Sequence, residues 1–325
     1  MRNINIDSFV KMADKLRKPY HANYYAMYSS VYGGIVTDPV LMLVPIDDHM
    51  VHRGDGIFEV FKCVNGGIYN MDAHMKRLTR AAQALSFRLP GGIEDIKLKV
   101  IETVKTGNHH DCCIHLYLSR GPGSFSVNPY ECPETQLYIV VTALGKPFME
   151  LHPEGARIKT SSVVSKPAFY AGVKSCNYLP NVLMKKEAVE SGVDFVLSFD
   201  DRGCLAEGAT ENAGIVTRNS ELLFPNLDCI LAGTTMLRLL ELAEKLVESG
   251  DLKSSRFADI PRKAVYDAAE LLIVGTTPNV AAAREFDGEP VGDGKPGPIC
   301  KKLGELLEND ISSNKELLTS VSNWS

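Results

Sequence analysis

The plainest pattern in the chain is the alternation in CCIHLYLS, residues 112 to 119. Successive side chains of a strand point to opposite faces. Cys112, Ile114, Leu116 and Leu118 therefore form one face and Cys113, His115, Tyr117 and Ser119 the other. The pattern predicts a strand with an apolar core face and a polar face suited to lining a cleft. Upstream, IFEVFKC from residue 57 predicts a strand, VNGG a tight turn and IYN the returning strand of a hairpin. Asp72 is expected to cap the helix that follows, in which Met75, Leu78, Ala81, Ala82 and Leu85 recur at helical spacing. QLYIVVTAL predicts a further strand.

The stretch GKPFMELHPEG, residues 145 to 155, carries proline and glycine without periodicity and is the expected linker. Beyond it, ARIKTSSVV predicts a strand and residues 180 to 191 a helix. DFVLSF, CLAEG, AGIVTR and ELLFP follow as short strands separated by turns such as DDRG and RNSE. TMLRLLELAEKLVESG predicts an amphipathic helix, AELLIVG a buried strand and PICKKLGELLEN a last helix. These elements predict an α+β, or mixed α/β, protein of two domains: a smaller N-terminal one over residues 1–147 and a larger one over 148–325.

Composition narrows the function classes. At 325 residues, 45% hydrophobic and 23% charged, the chain is long enough for two packed cores. A net charge of -5 without basic clusters argues against nucleic-acid partners. No run of about 18 apolar residues predicts a membrane helix. The N-terminal MRNINIDSFVKMADKLRKPYHANYY puts charges where an export signal needs its apolar core. Eight cysteines without CxxC spacing fit a reduced, cytoplasmic protein. HHDCCIH invites a zinc reading, but only Cys113 and His115 of that run share a strand face, and no metal site is expected.

The candidate chemistry centres on FYAGVKSCNYLPNVLMKKEAVESG, residues 169 to 192. Lys166, Lys185 and Lys186 have ordinary explanations as solvated lysines, whereas Lys174 stands after a glycine just ahead of a helix. A desolvated lysine amine loses its proton readily and becomes a nucleophile for aldehydes. That suits a covalent anchor for pyridoxal 5'-phosphate (PLP). The rest of that cofactor's needs are also present. GCLAEGATEN offers Glu207 beside a glycine as a carboxylate for the pyridine nitrogen. LAGTTMLRLL offers Gly233, Thr234 and Thr235 at a helix start for a phosphate, and IVGTTPN a second pair, Thr276 and Thr277.

The chain resembles the class IV (fold-type IV) aminotransferases, the family of branched-chain and D-amino-acid transaminases and aminodeoxychorismate lyase. HRGDGIFEVF, DAHMKRLTRAA, GVKSCNYLPNVLMKKEA, LAEGATEN, LAGTTM and VGTTPNVAAAREFDG carry the resemblance in order, from about residue 30 to residue 305. It implies two α/β domains with PLP between them and at least a homodimer. It implies that Lys174 is the catalytic amine, that Glu207 pairs with the pyridine nitrogen and Tyr178 with the ring's phenolic oxygen, and that Arg77, Thr234, Thr235 and Thr276 hold the phosphate. For the substrate it implies Phe58, His115, Tyr117 and Thr277. Its D-specific members place an arginine and a histidine where this chain has Phe125 and Val127, so the expectation is a ping-pong transaminase with a branched-chain-like donor and a 2-oxo acid acceptor. D-amino-acid transamination and a PLP-dependent lyase of the aminodeoxychorismate type are the alternatives.

Overall fold

A computed structural model describes residue 1 and residues 3–321 of the chain; the last four residues of the expected second domain lie outside the described residues. The chain forms two compact units, residues 1–144 with 319–325, and residues 145–318. Among the described residues no helix is long and apolar enough to cross a membrane.

The first unit begins with helix α1 (Ile6–Leu16), strands β1 (Tyr24–Ser29) and β2 (Gly34–Val36) and the short helix α2 (His49–Arg53). Strand β3 (Gly56–Val64) and strand β4 (Gly67–Tyr69) form the expected hairpin. Asn65 and Gly66 turn it with φ of 51° and 77°, the left-handed pair that matches strand twist in a two-residue loop. Helices α3 (Met71–Ala84) and α4 (Gly92–Gly107) and strands β5 (Cys112–Ser119) and β6 (Gln136–Ala143) complete it. The cap of α3 is Asn70, with φ of 52°, and not Asp72, which lies in the first turn. There its carboxylate serves the helix dipole instead of an N–H group.

Strand β15 (Leu318–Ser320) is the chain's return to this unit. Among the described residues the strands make a seven-stranded sheet ordered β15-β4-β3-β5-β6-β1-β2. One face carries Ile57, Phe61, Ile114, Leu116, Leu118, Ile139 and Val141, all fully buried. Helix α3 packs on β3, and α4 on β1, β5 and β6. The strand period of two then sends Phe58, His115 and Tyr117 to the opposite face. There Phe58 and Tyr117, cross-strand partners, stack with ring centres 5.9 Å apart. Phe58 is therefore not a core residue of the hairpin.

In the second unit, helix α5 (Phe148–Leu151), strand β7 (Ala156–Thr160), helices α6 (Ala168–Ala171) and α7 (Leu179–Glu190), and strands β8 (Phe195–Leu197), β9 (Asn212–Val216) and β10 (Glu221–Pro225) come first. Helix α8 (Thr234–Glu248), strand β11 (Ser254–Ala258), helix α9 (Arg262–Tyr266), strands β12 (Glu270–Gly275), β13 (Asn279–Phe286) and β14 (Glu289–Pro290), and helix α10 (Pro298–Ser313) follow. The sheet runs β11-β10-β9-β12-β13-β7-β8, with β14 beside β13. CLAEG is not a strand: Cys204, Leu205 and Glu207 make only isolated bridges, to Pro261, Phe199 and Asn212. The segment folds back on residues 198–200, with Ala206 N–H donating to the Ser198 carbonyl, and places Glu207 in the wall of a pocket.

Helices α8 and α10 pack together. Arg238 of α8 donates from Nε and Nη2 to the two carboxylate oxygens of Asp310 of α10, at 2.9 and 2.6 Å. Glu270, 6% exposed at the start of β12, accepts from the N–H groups of Ile299 and Cys300 at 2.9 and 2.7 Å. It satisfies two of the donors that the first turn of α10 leaves unpaired.

Candidate active site

The second unit holds an open hollow of about 280 Å³ lined by Lys166, Lys174, Tyr178, Asn181, Glu207, Thr210 and Leu231, among others. Sequence and backbone explain why these side chains meet. Pro180 sits in the first turn of α7, where its missing N–H costs nothing, so the helix starts abruptly at Leu179. Lys174 lies on the irregular stretch just ahead of it and is half-buried. Its Nζ stands 3.4 Å from the Tyr178 hydroxyl and 5.6 Å from the centre of that ring. Asn181, one turn into α7 and 5% exposed, donates through its side-chain amide to the Ala209 carbonyl.

Across the hollow, Glu207 ends the segment after β8, anchored through its own carbonyl to the N–H and hydroxyl of Ser198. Its side chain is 13% exposed. Oε2 accepts from the Leu231 N–H at 3.0 Å, and Oε1 lies 3.7 Å from Lys166 Nζ. Burial pushes the Glu207 carboxyl above its ordinary value, and Lys166, the Leu231 N–H and Lys174 oppose that shift while Glu211 adds to it. Sequence alone reads Lys166 as an ordinary solvated lysine. The structure corrects this and places it in the hollow, with Nζ 3.3 Å from Asn181 Oδ1 and 5.7 Å from the Tyr178 ring centre.

An anion cradle lies beside the carboxylate. Helix α8 starts at Thr234 without a side-chain cap, so its N-terminus keeps the partial positive charge that attracts phosphate. Thr234 is 6% exposed. Gly233, the residue before it, has an ordinary φ of -65°. A Cβ there would stand 1.9 Å from Asn212 Oδ1, so any side chain at this position has to push the Asn212 amide aside. Asn212 in turn donates to the Leu231 carbonyl at 2.9 Å. Thr276 and Thr277 lie in the turn between β12 and β13, and the Gly275 that precedes them borders Glu211, the neighbour of Asn212. Three segments far apart in sequence thus meet at one end of the sheet. An amine beside a phenol, a buried carboxylate and an uncapped helix start are the kinds of group that PLP requires.

The remaining expected residues lie in the first unit. Arg77 is 6% exposed on α3, its Nε and Nη2 donating to the Glu59 carboxylate at 2.7 and 2.6 Å. His115 is half-buried, its Nε2 3.2 Å from the Thr142 hydroxyl, and burial lowers its pKa. Its imidazole is therefore neutral at pH 7, a hydrogen-bonding group and not a cation.

Comparison with known proteins bears on this arrangement. The family described as amino-transferase class IV matches residues 56–286. The chain is 38% identical over 313 residues to the chloroplastic D-amino-acid transaminase of Arabidopsis thaliana, covering 96% of this chain and 83% of that protein. It is 31% identical over 268 residues to a putative branched-chain-amino-acid aminotransferase of Methanocaldococcus jannaschii, covering 82% and 90%. The fold matches the branched-chain aminotransferase of Thermoproteus uzoniensis, solved with norvaline, at a TM-score of 0.81 and 25% identity, over 92% of this chain and 99% of that one.

Proposed function

Since the chain belongs to the class IV aminotransferases, enzymes that act on amino acids and 2-oxo acids, we propose that it is a PLP-dependent transaminase whose catalytic amine is Lys174. The observation that carries this reading is the placement of Lys174 Nζ, the Tyr178 hydroxyl and the desolvated Glu207 carboxylate around one hollow. When bound, the cofactor supplies an aldehyde for amines and a ring that delocalises the charge left when a proton departs from the α-carbon.

In this scheme Lys174 Nζ would hold the cofactor through its aldehyde, and its amine would be the group that moves the proton taken from the donor's α-carbon. Glu207 would pair with the pyridine nitrogen and keep a proton on it. Tyr178 hydrogen-bonds the ring's phenolic oxygen. Thr234, Thr235 and Thr276 hold the phosphate at the α8 end of the unit, and Thr277 binds the substrate. For the first unit the roles proposed are those the resemblance implies: phosphate for Arg77, and substrate for Phe58, His115 and Tyr117.

The donor's handedness has two supported readings. The D reading draws on the likeness to the Arabidopsis D-amino-acid transaminase, which aligns with 96% of the chain. The branched-chain reading draws on Phe125 and Val127, 60% and 78% exposed, which leave their loop without the arginine and histidine of D-specific relatives. Separate addition of D-alanine, D-glutamate, L-leucine and L-glutamate to the cofactor-loaded protein tests both. Conversion of the lysine-bound band to the pyridoxamine form by a D-amino acid alone supports the first reading, and by L-leucine the second. A band that none of the four converts points to a lyase or to an unusual amine donor, and pyruvate release from aminodeoxychorismate then assays for the lyase.

We also propose a homodimer. Phe169, Tyr170, Leu179, Val182 and Leu183 on α6 and α7 are between 44% and 67% exposed, and large apolar side chains left exposed together mark a candidate interaction surface. Sedimentation velocity tests this.

A further inference from the structure

The resemblance assigns Lys166 no role, yet its ammonium is aimed into the hollow. The side-chain amide of Asn181 donates to the Ala209 carbonyl, which fixes which way that amide faces and turns Oδ1 toward Lys166. Lys166 Nζ lies 3.3 Å from that oxygen and 3.7 Å from Glu207 Oε1, with 20% of its side chain exposed. Asn181 is buried and Glu207 is 13% exposed, so the lysine spans from a fixed acceptor to a carboxylate that water barely reaches.

A buried carboxylate stays ionised only with a cation or hydrogen-bond donors at hand. The charged and titratable groups facing Glu207 are Lys166, Lys174 and Glu211, together with the Leu231 N–H. Glu211 is a like charge. On the proposed reading, Lys174 must be uncharged to attack and is covalently engaged between turnovers, so its charge is not constant. Lys166 is the cation at Glu207 that takes no part in the bond changes.

We propose that Lys166 is a positioning residue that holds Glu207 as a carboxylate throughout the catalytic cycle, so that Glu207 is ready to pair with a protonated pyridine nitrogen. Asn181 orients Lys166 for this task. The inference rests on the reading of the hollow as a PLP site. It distinguishes Lys166, which acts through Glu207, from Lys174, which touches the reacting atoms.

The test uses the full-length protein, wild type, Lys166→Met and Lys166→Arg. Glutamate labelled with ¹³C at the carboxyl carbon reports the Glu207 titration in the cofactor-free protein, with the signal identified by its loss in Glu207→Gln. Removing a cation at this distance is expected to raise the Glu207 pKa by about 1 to 3. The arginine variant keeps the charge and is expected to stay near wild type. PLP affinity, followed by the lysine-bound absorbance across pH 5 to 9, is expected to weaken in Lys166→Met toward the acid end, by up to about tenfold for each unit the carboxyl rises, and to recover at high pH, and the loss is expected to vanish when Lys166→Met is placed on Glu207→Gln. An unmoved Glu207 titration overturns the inference, as does a loss that persists on Glu207→Gln. A shifted titration with unchanged cofactor affinity overturns this inference alone, whereas a wild-type protein that takes up no PLP overturns the reading of the site with it.

Discussion

The Glu59 carboxylate accepts from both Nε and Nη2 of Arg77, at 2.7 and 2.6 Å, in a setting where the two side chains are 1% and 8% exposed. His74 Nδ1 lies 2.8 Å from the same carboxylate. A two-pronged pair of this kind fixes the plane of the guanidinium as well as its place, so β3 sets the direction in which α3 presents its arginine.

The pair makes stability depend on acid. Burial pushes the Glu59 carboxyl up, but Arg77 and His74 together outweigh it and hold it down at about 2, against an ordinary 4.5. The folded protein therefore binds this proton more weakly than the unfolded chain. The resulting stability, on the order of 3 kcal/mol, is present above pH 4.5 and lost as pH falls toward 2. Glu59→Gln is expected to destabilise by about 3 to 5 kcal/mol at pH 7, and by less at pH 3. Urea unfolding at the two pH values measures both.

Lys174→Ala removes a half-buried side chain and is expected to leave stability within about 0.5 kcal/mol of wild type. Turnover is expected to fall by at least about 10⁴-fold, with no lysine-bound absorbance band at any cofactor concentration. Retention of that band would move the catalytic amine elsewhere, Lys166 being the nearest other lysine in the hollow.

Tyr178→Phe keeps the ring against which both lysine amines rest, at 5.6 and 5.7 Å, and deletes only the hydroxyl. The expected loss in kcat is about 10- to 100-fold, the range for one hydrogen bond to a charged group. Its spectroscopic mark is a shift in the pH at which the lysine-bound band changes colour.

Gly233→Ala places a methyl group 1.9 Å from Asn212 Oδ1. Asn212 must give way, and with it the Leu231 carbonyl that its amide holds. Leu231 also supplies the N–H on Glu207, so one methyl group disturbs both the phosphate end and the carboxylate end of the hollow. A cost of about 1 to 3 kcal/mol together with weakened PLP binding is expected; thermal unfolding with and without PLP separates the two.

Glu270→Ala is the counterpart far from the chemistry. It leaves the Ile299 and Cys300 N–H groups at the head of α10 without their acceptor. The expected cost is about 1 to 3 kcal/mol, seen in the unfolding midpoint and not in the spectrum of bound cofactor.

Much of this architecture is legible in the residue pattern. The β3–β4 hairpin follows from an extended run broken by Asn65-Gly66, because few other pairs accept two positive φ values. The alternation of residues 112 to 119 sorts β5 into a buried face and a face bearing His115 and Tyr117, since strand periodicity is local. Lys174, Glu207 and the two threonine pairs stand out in the sequence because PLP demands an amine, a carboxylate and a phosphate cradle at once. Lys166 does not, because a lysine in an irregular segment looks solvated until the fold brings Asn181 and Glu207 to it. CLAEG reads as a strand because its residues are strand-like, but its partners change from residue to residue, Pro261, Phe199 and Asn212, so it makes only isolated bridges.

The order of strands in the second unit carries a kinetic meaning. Strand β7 runs parallel to β13, and the Thr160 N–H donates to Asp287 across 127 residues of sequence. Pairings of such separation must close a long loop before they return any free energy, and they are formed late and slowly. The side chains that line the hollow, from Lys166 to Leu231, all lie inside the loop that this pairing closes. A chain emerging from the ribosome therefore carries every lining residue before β13 appears, and the strand that fixes β7 in the sheet arrives after the pocket's own side chains.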